Sequence, residues 1–93
     1  MDEETLERVR EVVRSIPAGQ TLSYGEVAEL AGIRSARLVG RILSEDGADL
    51  PWHRVTRSDG RAAPHIAAEQ AARLRTEGII MVDGRLPPEH RRR

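Results

Sequence analysis

A chain of 93 residues fits one small domain, and 39% hydrophobic with 32% charged side chains is the balance of a folded protein rather than a disordered one. There is no cysteine, which excludes disulfide staples, thiolate metal centres and any thiol nucleophile. The 15 basic and 15 acidic residues cancel, so no overall positive field marks the chain for nucleic acid.

Leu6, Val9, Val12 and Val13 recur at helical spacing between Thr5 and Ser15, and Pro17 and Gly19 close the run, so the first element is expected to be an amphipathic scaffold helix. After the Pro-Ala-Gly turn, Ser23 stands three residues before Glu26, the pattern of a capping box, and a short helix should run from there to Gly32. Ile33 and Arg34 make a tight turn. Ser35 can cap a further helix to about Ser44, with Leu38, Val39, Ile42 and Leu43 as its apolar stripe. Two short helices joined by a Gly-containing turn suggest helix-turn-helix. The other side of the second helix carries Arg34, Arg37 and Arg41 beside the small residues Ala36 and Gly40, a face that could lie close against a nucleic-acid groove.

Glu45 to Leu50 is polar and Gly-bearing, and Pro51 forbids continuation of the helix. Arg54 to Thr56 and Gly60 to Ala63 flank Asp59-Gly60, which predicts a two-stranded hairpin, or wing. A last helix is expected over His65 to Gly78, then a short strand over Ile79 to Val82. Residues 1–86 would form the domain and 87–93 a flexible basic tail. The predicted fold class is mainly α with a small β-hairpin, a single winged helix-turn-helix domain. Charge is uneven along it: residues 1–30 hold three Arg against seven acids, residues 31–93 twelve against eight, the tail Arg91–Arg93 included. Every basic side chain is Arg, for which genomic base composition is a sufficient reason, although a guanidinium also offers bidentate phosphate contacts.

The blocks Ile16-Pro17-Ala18-Gly19, Thr21-Leu22-Ser23-Tyr24-Gly25-Glu26-Val27-Ala28, Ser35-Ala36-Arg37-Leu38-Val39-Gly40, Pro51-Trp52-His53-Arg54-Val55 and Glu77-Gly78 resemble, in order and spacing, the C-terminal domain of the O6-alkylguanine-DNA alkyltransferases. The likeness runs from about Val9 to Val82, and its specificity comes from several short blocks recurring in order. The family's active-site box reads Pro-Cys-His-Arg-Val, and Trp52 occupies the cysteine position, which is the mark of the alkyltransferase-like proteins. Dealkylation needs a thiolate aimed at the alkyl carbon, and an indole has neither the charge nor an available lone pair for it.

What the resemblance implies for single residues goes beyond what each would suggest alone. Trp52, otherwise a core tryptophan, would line the pocket that receives a flipped base. Tyr24, otherwise a packing aromatic, would help rotate the nucleotide's 3′ phosphate. Arg37, otherwise a solvated arginine, matches the finger that replaces the extruded base in the stack. Ser35, Ala36, Gly40, Pro51 and Arg54 complete the DNA- and lesion-binding set, with Arg54 acting by holding the active-site loop. His53 and Glu77 match the relay that activates the cysteine in the enzymes. With no thiol to deprotonate they are expected to persist as a structural remnant, and no residue is assigned as catalytic.

The chain departs from the family at Asp46, where an Asn often braces the helix-turn-helix turn. It departs again at Ala62 to Ile66, which lacks the enzymes' Tyr- and Gly-rich segment and offers His65 as a candidate contact. The implied function is a non-enzymatic sensor that binds O6-alkylguanine in double-stranded DNA from the minor groove by nucleotide flipping. It would flag the lesion for nucleotide excision repair proteins and block alkyltransferase action. The rivals are a winged-helix regulator without lesion specificity, and a hydrolase or glycosylase using His53 and Glu77. A cytoplasmic, nucleoid-associated monomer without metal, cofactor or membrane attachment is expected, since the start is acidic and no apolar run approaches the roughly 20 residues of a membrane span.

Overall fold

The computed structural model describes residues 2–90. Helix α1 spans Glu3–Arg14, two residues earlier than the apolar spacing indicates. The Asp2 carboxylate sets its start by accepting from the Thr5 N–H at 2.7 Å, with Glu3 and Glu4 favourably placed in the first turn. Strand β1 is only Leu22–Ser23 and leads directly into α2, Tyr24–Leu30. The capping box forms as its spacing predicts: Ser23 Oγ accepts from the Glu26 N–H at 3.0 Å, and Glu26 Oε1 accepts from the Ser23 N–H at 2.8 Å. Gly32, at φ +75°, ends that helix, and the Ile33 N–H reaches back to the Ala28 carbonyl.

Helix α3 spans Ala36–Asp46 and is capped by Ser35, whose hydroxyl accepts from the Leu38 N–H at 3.0 Å. It runs two residues beyond Ser44 and stops at Gly47. Helices α1, α2 and α3 share one core through Val9, Val13 and Ile16, Val27, Ala28 and Ala31, and Val39 and Ile42, closed by Leu50 and Val55. Each large side chain buried there contributes about 1.5 to 3 kcal/mol. The core thus presents the helix-turn-helix pair with the start of α3 directed to solvent, where Arg34, Ser35, Ala36 and Arg37 are all exposed.

After a 3-10 turn at Trp52–Arg54, strand β2, Val55–Thr56, pairs in parallel with β1, Leu22 opposite Val55 and Ser23 opposite Thr56. The small β element therefore exists, but not as the predicted hairpin. Arg57 to Arg61 closes a turn on itself, with the Arg57 N–H donating to the Arg61 carbonyl, and the chain then meets the C-terminal segment through an Arg61–Arg85 bridge. The two Asp-Gly pairs explain the difference. Asp83 and Gly84 both have positive φ, 53° and 73°, as a type I′ hairpin turn requires, and Val82 and Arg85 exchange both backbone hydrogen bonds across them. Asp59 is not among the positive-φ residues, so only the second Asp-Gly makes the tight hairpin turn.

Pro64–Ile66 forms a 3-10 turn, and helix α4 occupies Ala67–Arg75, shorter at both ends than the expected His65 to Gly78. Gly78, at φ +86°, still marks the stop, with the Ile79 N–H bonding back to the Leu74 carbonyl. Ile79 to Val82 is not an extended strand: only Val82 makes a bridge, and Ile79 instead fills a second small core with Leu74 and Leu86. Pro88–His90 is a further 3-10 turn, and Thr21 Oγ1 donates to the His90 carbonyl at 3.3 Å. Of the expected tail, residues 91–93 lie outside the described residues.

Candidate nucleic-acid interface

The 3-10 turn is built by its own proline. Pro51 cannot donate a hydrogen bond, its carbonyl accepts from the Arg54 N–H at 3.0 Å, and the Trp52 N–H donates to the Leu50 carbonyl at 2.8 Å. This curl separates three consecutive side chains. Trp52 is half-buried at the protein surface, whereas His53 is buried and Arg54 turns inward.

Behind the turn, Glu77 draws three segments together. Its Oε2 accepts from His53 Nε2 at 2.8 Å and from Arg54 Nη2 at 2.7 Å, and its Oε1 accepts from Arg54 Nε at 3.0 Å and from the Gly19 N–H at 3.2 Å. Arg54 Nη1 donates to the Ile16 carbonyl at 2.7 Å. The Arg54 guanidinium bonds, opposed by burial and aided by His53 and the Gly19 amide, hold the Glu77 carboxyl at about 2, below its ordinary 4.5. An ionised Glu77 can only accept, so His53 carries its hydrogen on Nε2. His53 Nδ1 is buried and without a partner among the described residues. Arg54, expected to act by holding the active-site loop, has its guanidinium bound to Glu77 and to the Ile16 carbonyl behind that loop.

In front of the turn lies a cavity of about 200 Å³ lined by Tyr24, Gly40, Leu43, Ser44, Trp52, His65 and Ile66. Four of these, Tyr24, Gly40, Trp52 and His65, stand out in the sequence. Leu43, Ser44 and Ile66 do not, because the α3 face that meets the 3-10 segment is set by packing alone. A Cβ added at Gly40 would stand 3.9 Å from Tyr24 Cε1, an ordinary contact, so Gly40 widens the cavity rather than relieving a clash. Burial raises the Tyr24 phenol above its ordinary pKa, while the charge of Arg57 pulls it the other way.

Two residues with no functional reading in the sequence support Trp52. The Arg73 guanidinium lies 5.2 Å from the Trp52 ring centroid, a cation–π contact, and is held by Glu69 at 2.7 Å. Buried Gln70 donates through Nε2 to the carbonyls of His53 and Val55 at 2.9 and 2.8 Å, which pins the backbone after Trp52. The Glu69–Arg73 spacing predicts an ion pair on a helix, but nothing in the sequence says that its cation faces the indole.

On α3, Arg37 is exposed in the first turn, and its guanidinium has no hydrogen bond or ion pair among the described residues. Arg34 is likewise unpaired, whereas Arg41 is held by Glu45 at 3.2 Å. The Asp46 carboxylate accepts from Arg10 of α1 at 3.1 Å, and its backbone carbonyl accepts from the same nitrogen at 2.7 Å. That link ties the end of α3 to α1. Among the described residues no cluster of potential ligands could hold a metal ion, and no helix is long and apolar enough to cross a membrane.

Residues 4–79 match the family model described as 6-O-methylguanine DNA methyltransferase, DNA binding domain. A curated Escherichia coli K12 relative named DNA base-flipping protein is 42% identical over 81 residues, which cover 81% of this chain and 62% of that protein. Alkyltransferase-like protein 1 of Schizosaccharomyces pombe is 37% identical over 79 residues, covering 77% of this chain and 73% of that one. The crystal structure of S. pombe Atl1 in complex with damaged DNA containing O6-carboxymethylguanine superposes with a TM-score of 0.85 at 28% identity, over 100% of this chain and 98% of that one. The chain thus spans less than two thirds of the length of the E. coli relative and nearly all of the S. pombe structure. The chain belongs to the 6-O-methylguanine DNA methyltransferase DNA-binding family, as an alkyltransferase-like protein.

Proposed function

We propose that the chain is a non-enzymatic sensor of O6-alkylguanine in double-stranded DNA, which docks α3 in the minor groove and receives the flipped, modified base in the cavity beside Trp52. The observation that carries this is the cavity itself. Its volume of about 200 Å³ lies below the roughly 300 to 1,000 Å³ of drug-sized sites and suits a single base. Its walls are also chemically suited: Trp52 and Tyr24 give aromatic surface for stacking, and Leu43 and Ile66 give apolar surface for an alkyl group.

Flipping leaves a hole in the stack, and the unpaired Arg37 on the first turn of α3 is the group placed to fill it. A planar guanidinium stacks on neighbouring bases and donates hydrogen bonds to the orphaned partner base. Ser35 and Ala36 present the helix start to the backbone, and Gly40 keeps the way into the cavity open. Trp52 stands at the acceptor-cysteine position of the enzymes. With no cysteine anywhere in the chain, no thiolate is available to take the alkyl group, and the lesion stays on the DNA. His53 and Glu77 then serve as structure: the relay they would form has no thiol proton to remove.

A complex that binds without reacting occupies the lesion, which shields it from an alkyltransferase and offers distorted DNA to nucleotide excision repair. Residues 1–86 suffice for the binding unit, which acts as a monomer.

The test compares affinity for a short duplex containing O6-methylguanine with that for the same duplex containing guanine, at one salt concentration. Preferential binding is expected, with the methyl group still on the DNA after incubation. Equal affinities would leave a general winged-helix DNA binder as the account, and loss of the methyl group or base would establish an enzyme.

A further inference from the structure

Seven of the twelve arginines among the described residues are paired with acids where they stand: Arg8 with Glu4, Arg10 with Asp46 and Asp49, Arg14 with Glu11, Arg41 with Glu45, Arg54 with Glu77, Arg61 with Asp59 and Arg73 with Glu69. Arg57 is different. It lies exposed on the turn after β2, and its guanidinium has no hydrogen bond and no acidic partner among the described residues. It borders an open groove of about 400 Å³ together with Tyr24, Gly25, Ala36, Ser58 and Asp59. The one acid in that lining is already engaged: Asp59 pairs with Arg61 at 3.4 Å and accepts from the Arg61 N–H at 3.0 Å. The groove therefore holds an unopposed positive charge.

Tyr24 lines both this groove and the cavity beside Trp52, so the two hollows are neighbours. A base resting in the cavity would bring its sugar–phosphate backbone close to this neighbouring groove, which carries an unpaired cation. Arg57 lies near enough to Tyr24 for its charge to favour the phenolate, against the larger effect of burial.

We infer that Arg57 is a DNA-backbone contact, which takes a phosphodiester flanking the flipped nucleotide into the groove between Tyr24 and the turn 57–60. This rests on the base-flipping function proposed above. Neutralising that phosphate would help hold the extrahelical backbone, a role separate from stacking at Trp52 and from the insertion of Arg37.

The experiment measures the affinity of the full chain for an O6-methylguanine duplex as a function of salt, for wild type, Arg57→Ala, Arg57→Lys and Arg75→Ala. Arg75 is an exposed, unpaired arginine at the end of α4 that lines neither hollow, and serves as the control. Arg57→Ala should weaken binding about fivefold to tenfold and lower the slope of log K against log salt by about 0.9, while Arg57→Lys keeps the slope and Arg75→Ala matches wild type. Replacing in turn each phosphodiester flanking the lesion by an uncharged methylphosphonate should identify one site that weakens wild type by a similar factor but Arg57→Ala by less than twofold. An unchanged slope in Arg57→Ala, or equal losses in both proteins at both phosphates, overturns the contact while leaving lesion binding intact. A wild type without lesion preference overturns the flipping function and this contact with it. Thermal melting of Arg57→Ala should match wild type, because the side chain holds no other group.

Discussion

The Arg73 guanidinium lies 5.2 Å from the centroid of the Trp52 ring, so the only tryptophan of the chain is braced by a cation on α4 while it lines the cavity. One residue thus serves as both wall and fluorescent reporter.

If a flipped base stacks on Trp52, adding the lesion duplex should quench the emission of the chain's single indole, and Trp52→Ala should weaken lesion binding by about 1 to 3 kcal/mol, the range for loss of one base–aromatic stack. Arg73→Ala should cost less, about 0.5 to 1 kcal/mol, because it removes only the brace. A fluorescence titration checks the first and competition binding the second. Unquenched emission at saturating lesion duplex would place the base elsewhere.

Arg37→Ala should abolish most of the preference for O6-methylguanine over guanine while leaving the melting temperature within about 2 to 4 °C, since the side chain makes no hydrogen bond or ion pair among the described residues and isolated surface changes stay within about 0.5 kcal/mol. Parallel affinity and melting measurements separate the two. A matching fall in stability would make Arg37 structural.

Glu77 gives the protein an acid limit. Its carboxyl is lowered from 4.5 to about 2, so its contribution to stability is complete above 4.5 and is lost as the pH falls from there toward 2. The linked free energy is about 3 kcal/mol for a carboxylate whose side chain is 13% exposed. Glu77→Gln should lose a similar amount at neutral pH, leave Arg54 without its counter-charge, and flatten the acid side of the stability profile, which urea unfolding at several pH values measures.

Gly47→Ala should destabilise the fold by about 1 to 3 kcal/mol, read as a lower melting temperature, because a Cβ there would lie 2.5 Å from the Leu43 carbonyl oxygen and 2.8 Å from its Cα. Backbone, not a yielding side chain, stands in the way. Gly40→Ala, whose Cβ meets only Tyr24 Cε1 at 3.9 Å, should fold normally, so the pair distinguishes a glycine that the backbone demands from one that shapes the cavity.

The helices were legible in the sequence because their signals are local. A Ser with Glu three residues on, an apolar stripe of period 3.6 and a glycine at the stop each act within one or two turns, and α2 and α3 form where those marks stand. The strand partner was not legible. Val55 and Thr56 are both buried, so they carry no alternation that reveals which neighbour they pair with, and the Asp-Gly beside them signals a hairpin no more strongly than Asp83-Gly84 does. Only backbone conformation, with positive φ at both residues of the second pair, separates them.

The site divides along the same line. Residue order alone determined that no thiol chemistry exists here, that a tryptophan stands within Pro51-Trp52-His53-Arg54, and that an arginine sits on the first turn of a Ser-capped helix. Which of those side chains share a wall was decided by tertiary structure. Arg54 and Trp52 are two residues apart, yet one turns in to Glu77 and the other out to the cavity. Arg73 and Arg57 gain their positions from segments that approach only after folding, and a cation's role depends on whether an acid meets it in space, which chain order does not encode.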